Sequence, residues 1–101
     1  MFDIGRVKQL ASSGDDEYQC CLGLCYQDGE GVSEDGKKSM YWLTKSAKQG
    51  NAEAQFFLGF NYYAGINVQK NTNKSIDWLT KSAKQSDVLA VRLLEHVKSK
   101  L

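Results

Sequence analysis

Trp42-Leu43-Thr44-Lys45-Ser46-Ala47-Lys48-Gln49 recurs unchanged as Trp78-Leu79-Thr80-Lys81-Ser82-Ala83-Lys84-Gln85. The two octets lie 36 residues apart, and the agreement continues upstream at the same offset. Gly14 matches Gly50, Leu22 matches Leu58, Gly23 matches Gly59, Tyr26 matches Tyr62, Gly29 matches Gly65 and Val32 matches Val68. Set against each other, residues 14–49 and 50–85 agree at 18 of 36 positions. A period of this length marks stacked supersecondary units, each of which buries its apolar face against its neighbours. Arrays of this kind present a surface more often than they perform chemistry.

Each unit contains two helical patterns joined by a turn. In the second unit, helix A is expected over about Asn51–Ala64, with Ala54, Leu58 and Tyr62 at four-residue spacing on one face. Gly65 ends it, because glycine accepts the left-handed backbone that follows a helix. The first unit repeats this with Tyr18, Leu22, Tyr26 and the turn Asp28-Gly29-Glu30-Gly31-Val32. Helix B begins at Asp35 or Asn71, whose side chains accept hydrogen bonds from first-turn amides. It continues through Met40, Leu43 and Ala47, or through Ile76, Leu79 and Ala83. Gly50 stops the first helix B; Ser86 stands at that position in the second, a weaker stop. Proline is absent throughout. Gly23 and Gly59 fall inside helix A, where glycine costs ~1 kcal/mol relative to alanine. Their repetition points to a close helix–helix approach, with the bulky Trp42 or Trp78 expected to fill the space.

The flanks fit the same frame. A shift of 36 places Ile4 on Met40, Val7 on Leu43 and Ala11 on Ala47, so residues 2–13 form a lone helix B. Residues 86–101 align with helix A, Ala90 on Ala54 and Leu94 on Leu58, with Glu95 and Lys98 replacing the glycine and tyrosine as expected of a polar cap. The chain 1–101 is therefore a single all-α domain of about six helices: a lone helix (2–13), two repeats (14–49 and 50–85) and a capping helix (86–101).

Leu22-Gly23-Leu24-Cys25-Tyr26-Gln27-Asp28-Gly29-Glu30-Gly31-Val32, followed by Asp35, Lys38, Trp42, Ala47 and Gly50, resembles the Sel-1-like repeat, a relative of the tetratricopeptide repeat. The second copy departs at Asn67, where the family favours glycine, although asparagine tolerates the same positive φ. Serines 39, 46, 75 and 82 stand where the family prefers alanine. The resemblance implies a right-handed α-α superhelix acting as a scaffold in protein complexes, with the A helices lining the concave side, and it implies no active site. Residues opposite the Ala54–Leu58–Tyr62 face then line a groove for a protein or peptide partner. They are Glu17, Cys20, Leu24 and Gln27 in the first unit, Glu53, Phe56, Phe60 and Tyr63 in the second, and Leu89, Arg92 and His96 in the last helix. The competing reading of the aromatic residues is that they pack against neighbouring A helices.

Other functions find little support. Thirteen basic and twelve acidic side chains leave a net charge of +1, which gives no footprint for nucleic acid or an anionic membrane. No stretch approaches the ~20 apolar residues of a membrane span, and no signal-peptide core precedes the repeats, so a cytoplasmic location is expected. Cys20, Cys21 and Cys25 crowd one helix and make a poor disulfide framework. With His96 they do not converge as zinc ligands, so no metal or cofactor is expected. Asp15, Asp16 and Glu17 suit the positive end of a helix dipole. The single histidine has no nucleophile placed beside it by spacing, and the Gly29–Gly31 turn lacks the remainder of a phosphate loop. A non-catalytic interaction module, monomeric or weakly dimeric, is the leading expectation. The alternatives are a protein that self-assembles through its end helices and, remotely, a hydrolase of the β-lactamase type.

Overall fold

Asp3, Asp15, Asp35, Asn51, Asn71 and Asp87 each precede a helix and accept a hydrogen bond from the amide three residues on. A side-chain oxygen thereby satisfies one of the orphan amides that every helix start leaves. Three of these caps, Asp15, Asn51 and Asp87, stand 36 residues apart. A computed structural model describes residues 2–101, and its elements begin where these caps place them: α1 (Ile4–Ser12), α2 (Asp16–Asp28), α3 (Gly36–Lys48), α4 (Ala52–Ala64), α5 (Thr72–Lys84) and α6 (Val88–Ser99). No strand occurs among the described residues, and no helix is long and apolar enough to cross a membrane. The lone first helix starts two residues later than the apolar pattern suggests, because Asp3 caps it.

The helices stack in chain order as an α-α superhelix. The A helix α2 packs most extensively on the B helix α3, and α4 on α5, while α3 joins the two repeats by packing on α4. The body measures 42 × 25 × 21 Å. At the A-helix ends, Gly29 and Gly65 adopt φ of 71° and 72°, the left-handed C-cap that the sequence requires. Asn67 also takes a positive φ, 63°. Its side chain lies against Gly36 at the start of α3, where a Cβ on Gly36 would come within 3.1 Å of the Asn67 Cβ. The asparagine in one repeat is thus accommodated by a missing side chain in the other.

The interior glycines serve a close approach, but leucine fills the gap. A Cβ built on Gly23 would lie 2.7 Å from Leu43 Cγ, and one on Gly59 only 2.5 Å from Leu79 Cγ. Both leucines are fully buried. Trp42 and Trp78, expected in this position, are half-buried instead. One residue along a helix turns the side chain by 100°, which carries the ring from the seam to its edge. There Trp42 packs beside Val7, Ala11, Leu22 and Tyr26, and Trp78 beside Leu43, Ala47, Ala54 and Leu58.

A polar ladder with the repeat's own period accompanies this packing. Ser46 and Ser82 donate from Oγ to the carbonyls of Asp16 and Ala52, each at 2.7 Å. Gln19 and Gln55 donate back to the carbonyls of Ala11 and Ala47 in the preceding B helix, each at 3.1 Å. Gln49 and Gln85 reach the carbonyls of Gly14 and Gly50 and the side-chain oxygens of Gln19 and Gln55. The serines that differ from the family preference for alanine are therefore buried groups with satisfied hydroxyls, except that Ser39 makes only a long 3.5 Å contact to Gln27.

Two stability predictions follow from these contacts. Gly59→Ala adds a good helix former yet should destabilise the fold by about 1–3 kcal/mol, since overpacking at Leu79 outweighs the ~1 kcal/mol propensity gain. Combined with Leu79→Ala, it should cost less than the sum of the two single changes in urea denaturation; additive values would show that the contact is not the cause. Ser86 holds a left-handed φ of 67° where Gly50 has 97°. Ser86→Gly should therefore raise stability by about 0.5–1 kcal/mol, read as an increase in the melting temperature.

Candidate protein-binding surface

Along α4 the sequence places an aromatic residue at nearly every turn of one side. Phe56 and Phe60 stack with centroids 6.5 Å apart and planes 23° from parallel. Phe57 meets Phe56 edge-on at 5.2 Å. Tyr63 stands edge-on to His96 of α6 at 5.8 Å, and the Lys70 ammonium lies 5.6 Å from the Tyr63 ring centre. Phe56 and Tyr63 rest against the cluster of Leu79, Ala90 and Val97, while Leu93 and Leu94 of α6 close it. All three residues expected at the groove floor are half-buried: the Phe56 and Tyr63 rings join the α5–α6 core in part, whereas Phe60 stacks on Phe56 outside that cluster.

The flanking residues differ in their surroundings. Leu89, Arg92 and His96 are exposed on α6, with Leu89 60% accessible. On the α2 side, Glu17 and Glu53 are exposed and Leu24 packs half-buried against the Leu43–Leu58 cluster. Cys20 belongs to the interior: it is 1% accessible and its thiol donates to Glu53 Oε1 at 3.4 Å. Its sulfur is therefore covered from solvent. Gln27 is half-buried, and its Oε1 accepts from Asn61 Nδ2 at 3.1 Å. The structure brings Cys20 and Glu53 together, Phe56 and Phe60 together, and Tyr63 and His96 together, while Glu17 stands apart from these pairs.

Asn61, which the sequence pattern did not single out, is fully buried where the first repeat has Cys25. Its Nδ2 also lies 3.5 Å from Met40 Sδ, and its Oδ1 has no partner. The signal was an amide at a position that its own repeat frame marks as core. Lysines form a second set that helix-face reasoning passed over: Lys38 and Lys74 lie over Tyr26 and Tyr62, and Lys45 and Lys81 over Trp42 and Trp78. Their recurrence in register was visible in the sequence.

All three cysteines are free. Burial, and after it the neighbouring Glu53 carboxylate, pushes the Cys20 thiol far above the ordinary thiol range. Burial and the nearby Cys21, Glu30 and Asp28 push Cys25 up to about 11. Among the described residues, no group of three His, Cys, Asp or Glu side chains converges at metal-binding distance.

The geometry is that of a helical repeat, and the comparison of families agrees: the Sel1 repeat model matches residues 17–51 and 52–87. This chain belongs to the Sel1 repeat family. Such repeats are generally non-catalytic protein–protein interaction modules. Among solved structures, this Sel1 repeat chain is similar to a Sel1 repeat protein from Oxalobacter formigenes, with TM-score 0.88 and 32% identity over 92% of this chain and 70% of that one. It is also similar to a protective antigen present in uropathogenic Escherichia coli strains and displaying an SLR fold, with TM-score 0.89 and 29% identity over 93% of this chain. The chain spans only 20% of that antigen's length. Cysteine rich protein B of Helicobacter pylori shares the fold at TM-score 0.82 and 22% identity, covering 92% of this chain and 73% of that one. No curated protein matches.

The thiols give a direct chemical test. At neutral pH an alkylating reagent should modify half-exposed Cys21 first, with buried Cys20 and Cys25 following only as the fold opens, resolved by mass spectrometry of timed digests. Cys25 holds its proton more tightly in the folded chain than at the ordinary value of 9.0. Its contribution to stability is therefore intact below about pH 9 and is lost as pH rises through about 11. The melting temperature should fall across that window more steeply for the parent than for Cys25→Ala; identical slopes would contradict the shift.

Proposed function

We propose that this Sel1 repeat domain is a non-catalytic interaction module that holds a protein segment against the concave, A-helix side of its superhelix. One observation carries the reading. Phe56 and Phe60 stack along α4, Tyr63 follows one turn on beside His96, and the fold leaves each of the three rings partly in solvent. Aromatic residues that keep accessible faces beside a rigid core are suited to act as anchors, because they offer large apolar area at small entropic cost. His96 meets Tyr63 from α6, one turn after Arg92, and Glu53 stands in the first turn of α4. An amphipathic helix or an extended peptide with one or two apolar anchors fits such a surface, and the charged borders select among partners. Six helices offer a small area, so the affinity is modest.

A second reading rests on α6, where Val88 is 63% and Leu89 60% accessible. These exposed aliphatic side chains favour contact between two copies through the end helix. Light scattering across a range of concentrations separates the readings: a concentration-independent monomer supports the groove, and a dimer lost in Leu89→Glu supports end-helix pairing.

Phe60 is the residue on which to test the groove, because Phe56 and Tyr63 also serve the core whereas Phe60 stacks only on Phe56. A photo-crosslinking phenylalanine at position 60 should trap a defined partner from the native cell. Phe60→Glu should weaken capture by roughly tenfold or more, the loss expected of an anchor worth over 1 kcal/mol, with the helical circular dichroism preserved. Undiminished capture by the folded variant would rule out this face.

A further inference from the structure

The net charge of +1 conceals two opposed regions. Residues 2–35 hold eight acidic side chains against Arg6 and Lys8, whereas residues 36–86 hold eight lysines against Glu53 and Asp77. The contrast is sharpest in the two equivalent turns. Asp28 at the end of α2 is followed by Glu30, Glu34 and Asp35 before α3; Ala64 at the end of α4 is followed by Ile66, Lys70 and Asn71 in their places before α5. The lysines gather around one feature. A cleft of about 440 Å³ opens between α3 and the α4–α5 turn, with Met40, Thr44, Tyr62 and Val68 among its lining residues and Lys37, Lys45 and Lys48 around it. A second, of about 410 Å³, shares Thr44, Lys48 and Tyr62 with the first and continues along α5 past Lys74, Trp78 and Lys81, with Asp77 as its only acid. A third, of about 300 Å³, adds Lys70 and again includes Tyr62. The three hollows meet at Tyr62 and make one groove.

Several of these cations are held in place. Lys45 Nζ lies 3.3 Å from the Tyr41 hydroxyl and 5.3 Å from the centre of the Tyr41 ring, which is itself 56% exposed. Lys74 lies 5.4 Å from the Tyr62 ring centre and Lys81 6.0 Å from that of Trp78. A lysine stem already resting on a ring loses less freedom when an anion arrives. Like charges gathered on a recessed surface also raise the local concentration of anions. From Lys37 to Lys48 the α3 rim runs about 16 Å at the helical rise of 1.5 Å per residue, the span of about five residues of extended peptide.

We propose that this groove binds an acidic protein segment: a short extended stretch whose carboxylates pair with Lys45, Lys48 and Lys74 while one apolar side chain enters the hollow over Tyr62. A flat bilayer or a nucleic-acid backbone would meet the lysine rim and leave the floor of Met40, Thr44 and Val68 unfilled, so the shape favours a peptide. The site shares no residue with the Phe56–Phe60–Tyr63 strip, and it stands whether or not that strip binds a partner.

The test uses the whole chain and two fluorescent peptides, Glu-Asp-Phe-Glu-Asp and its uncharged counterpart Gln-Asn-Phe-Gln-Asn, followed by anisotropy. The acidic peptide should bind at least roughly tenfold more tightly, and raising salt from about 20 to about 200 mM should weaken it markedly. Replacing its phenylalanine by serine should also weaken it. The triple variant Lys45→Gln, Lys48→Gln, Lys74→Gln should lose most of the binding, whereas Lys98→Gln with Lys100→Gln on and after α6, and Phe60→Glu on α4, should leave it unchanged. Equal binding of both peptides, or full binding by the triple variant, overturns the proposal. Tighter binding of single-stranded DNA or of phosphatidylserine vesicles than of the acidic peptide overturns it in favour of a general polyanion surface. Low-salt dimerisation abolished by the triple variant would assign the groove to the acidic α2–α3 turn of a second copy, and would likewise overturn it.

Discussion

Everything in this domain depends on how closely an A helix and its B helix approach, and a leucine seated where a glycine has no side chain sets that distance. Leu43 over Gly23 and Leu79 over Gly59 leave no room for a single added carbon. The short polar links exist only because of this. Ser75 Oγ reaches the Gly59 carbonyl at 2.7 Å, one turn from Leu79, and Ser46 and Ser82 reach across to α2 and α4 at the same distance. A hydroxyl on one carbon has little reach, so displacement of the helices by an ångström would leave these buried groups unpaired, at a cost of about 1–3 kcal/mol each. Apolar packing and hydrogen bonding therefore stand or fall together along the seam.

Much of this architecture was legible in the chain. The 36-residue period fixed the order of elements, and Asp35, Asn71, Gly65 and Asn67 marked starts and turns because a cap or a positive φ is a local requirement that few side chains meet. What escaped was the identity of neighbours. Helix periodicity tells which residues share a face, but it does not tell which of two adjacent large residues points into a glycine notch, so tryptophan stood in for leucine. Nor does it reveal that Gln19 and Gln55, 2% and 4% accessible, are buried donors to the preceding helix. A glutamine reads as surface until the carbonyl that it satisfies is known.

The surfaces show the same limit. Cys20 shares a helical face with Leu24, yet Glu53 from the next repeat covers it. The aromatic residues of α4 divide between core and solvent according to how α6 lies over them, which no single-helix pattern contains. Charge segregation was available to simple counting by segment, but the overall balance of the chain hid it. The result is a short solenoid with two chemically different faces: apolar and aromatic on α4 towards α6, cationic and hollow between α3 and the α4–α5 turn. The two proposals give one small domain separate surfaces for two protein segments.

The ladder of glutamines has a bearing on how such chains arise. Each repeat carries a donor that hangs from the helix before it, Gln19 or Gln55, and the first repeat supplies in Ala47 the carbonyl from which the second hangs. A newly copied unit of 36 residues thus arrives with matching halves already on its two edges. In-frame duplication of the coding segment lengthens the protein without any compensating substitution, and the exposed side chains of the copy are then free to drift towards a different ligand. In this chain the octet at Trp42 and Trp78 is unchanged while the acidic turn of the first repeat gives way to one with a single lysine in the second, so the frame is kept where the exposed side chains differ.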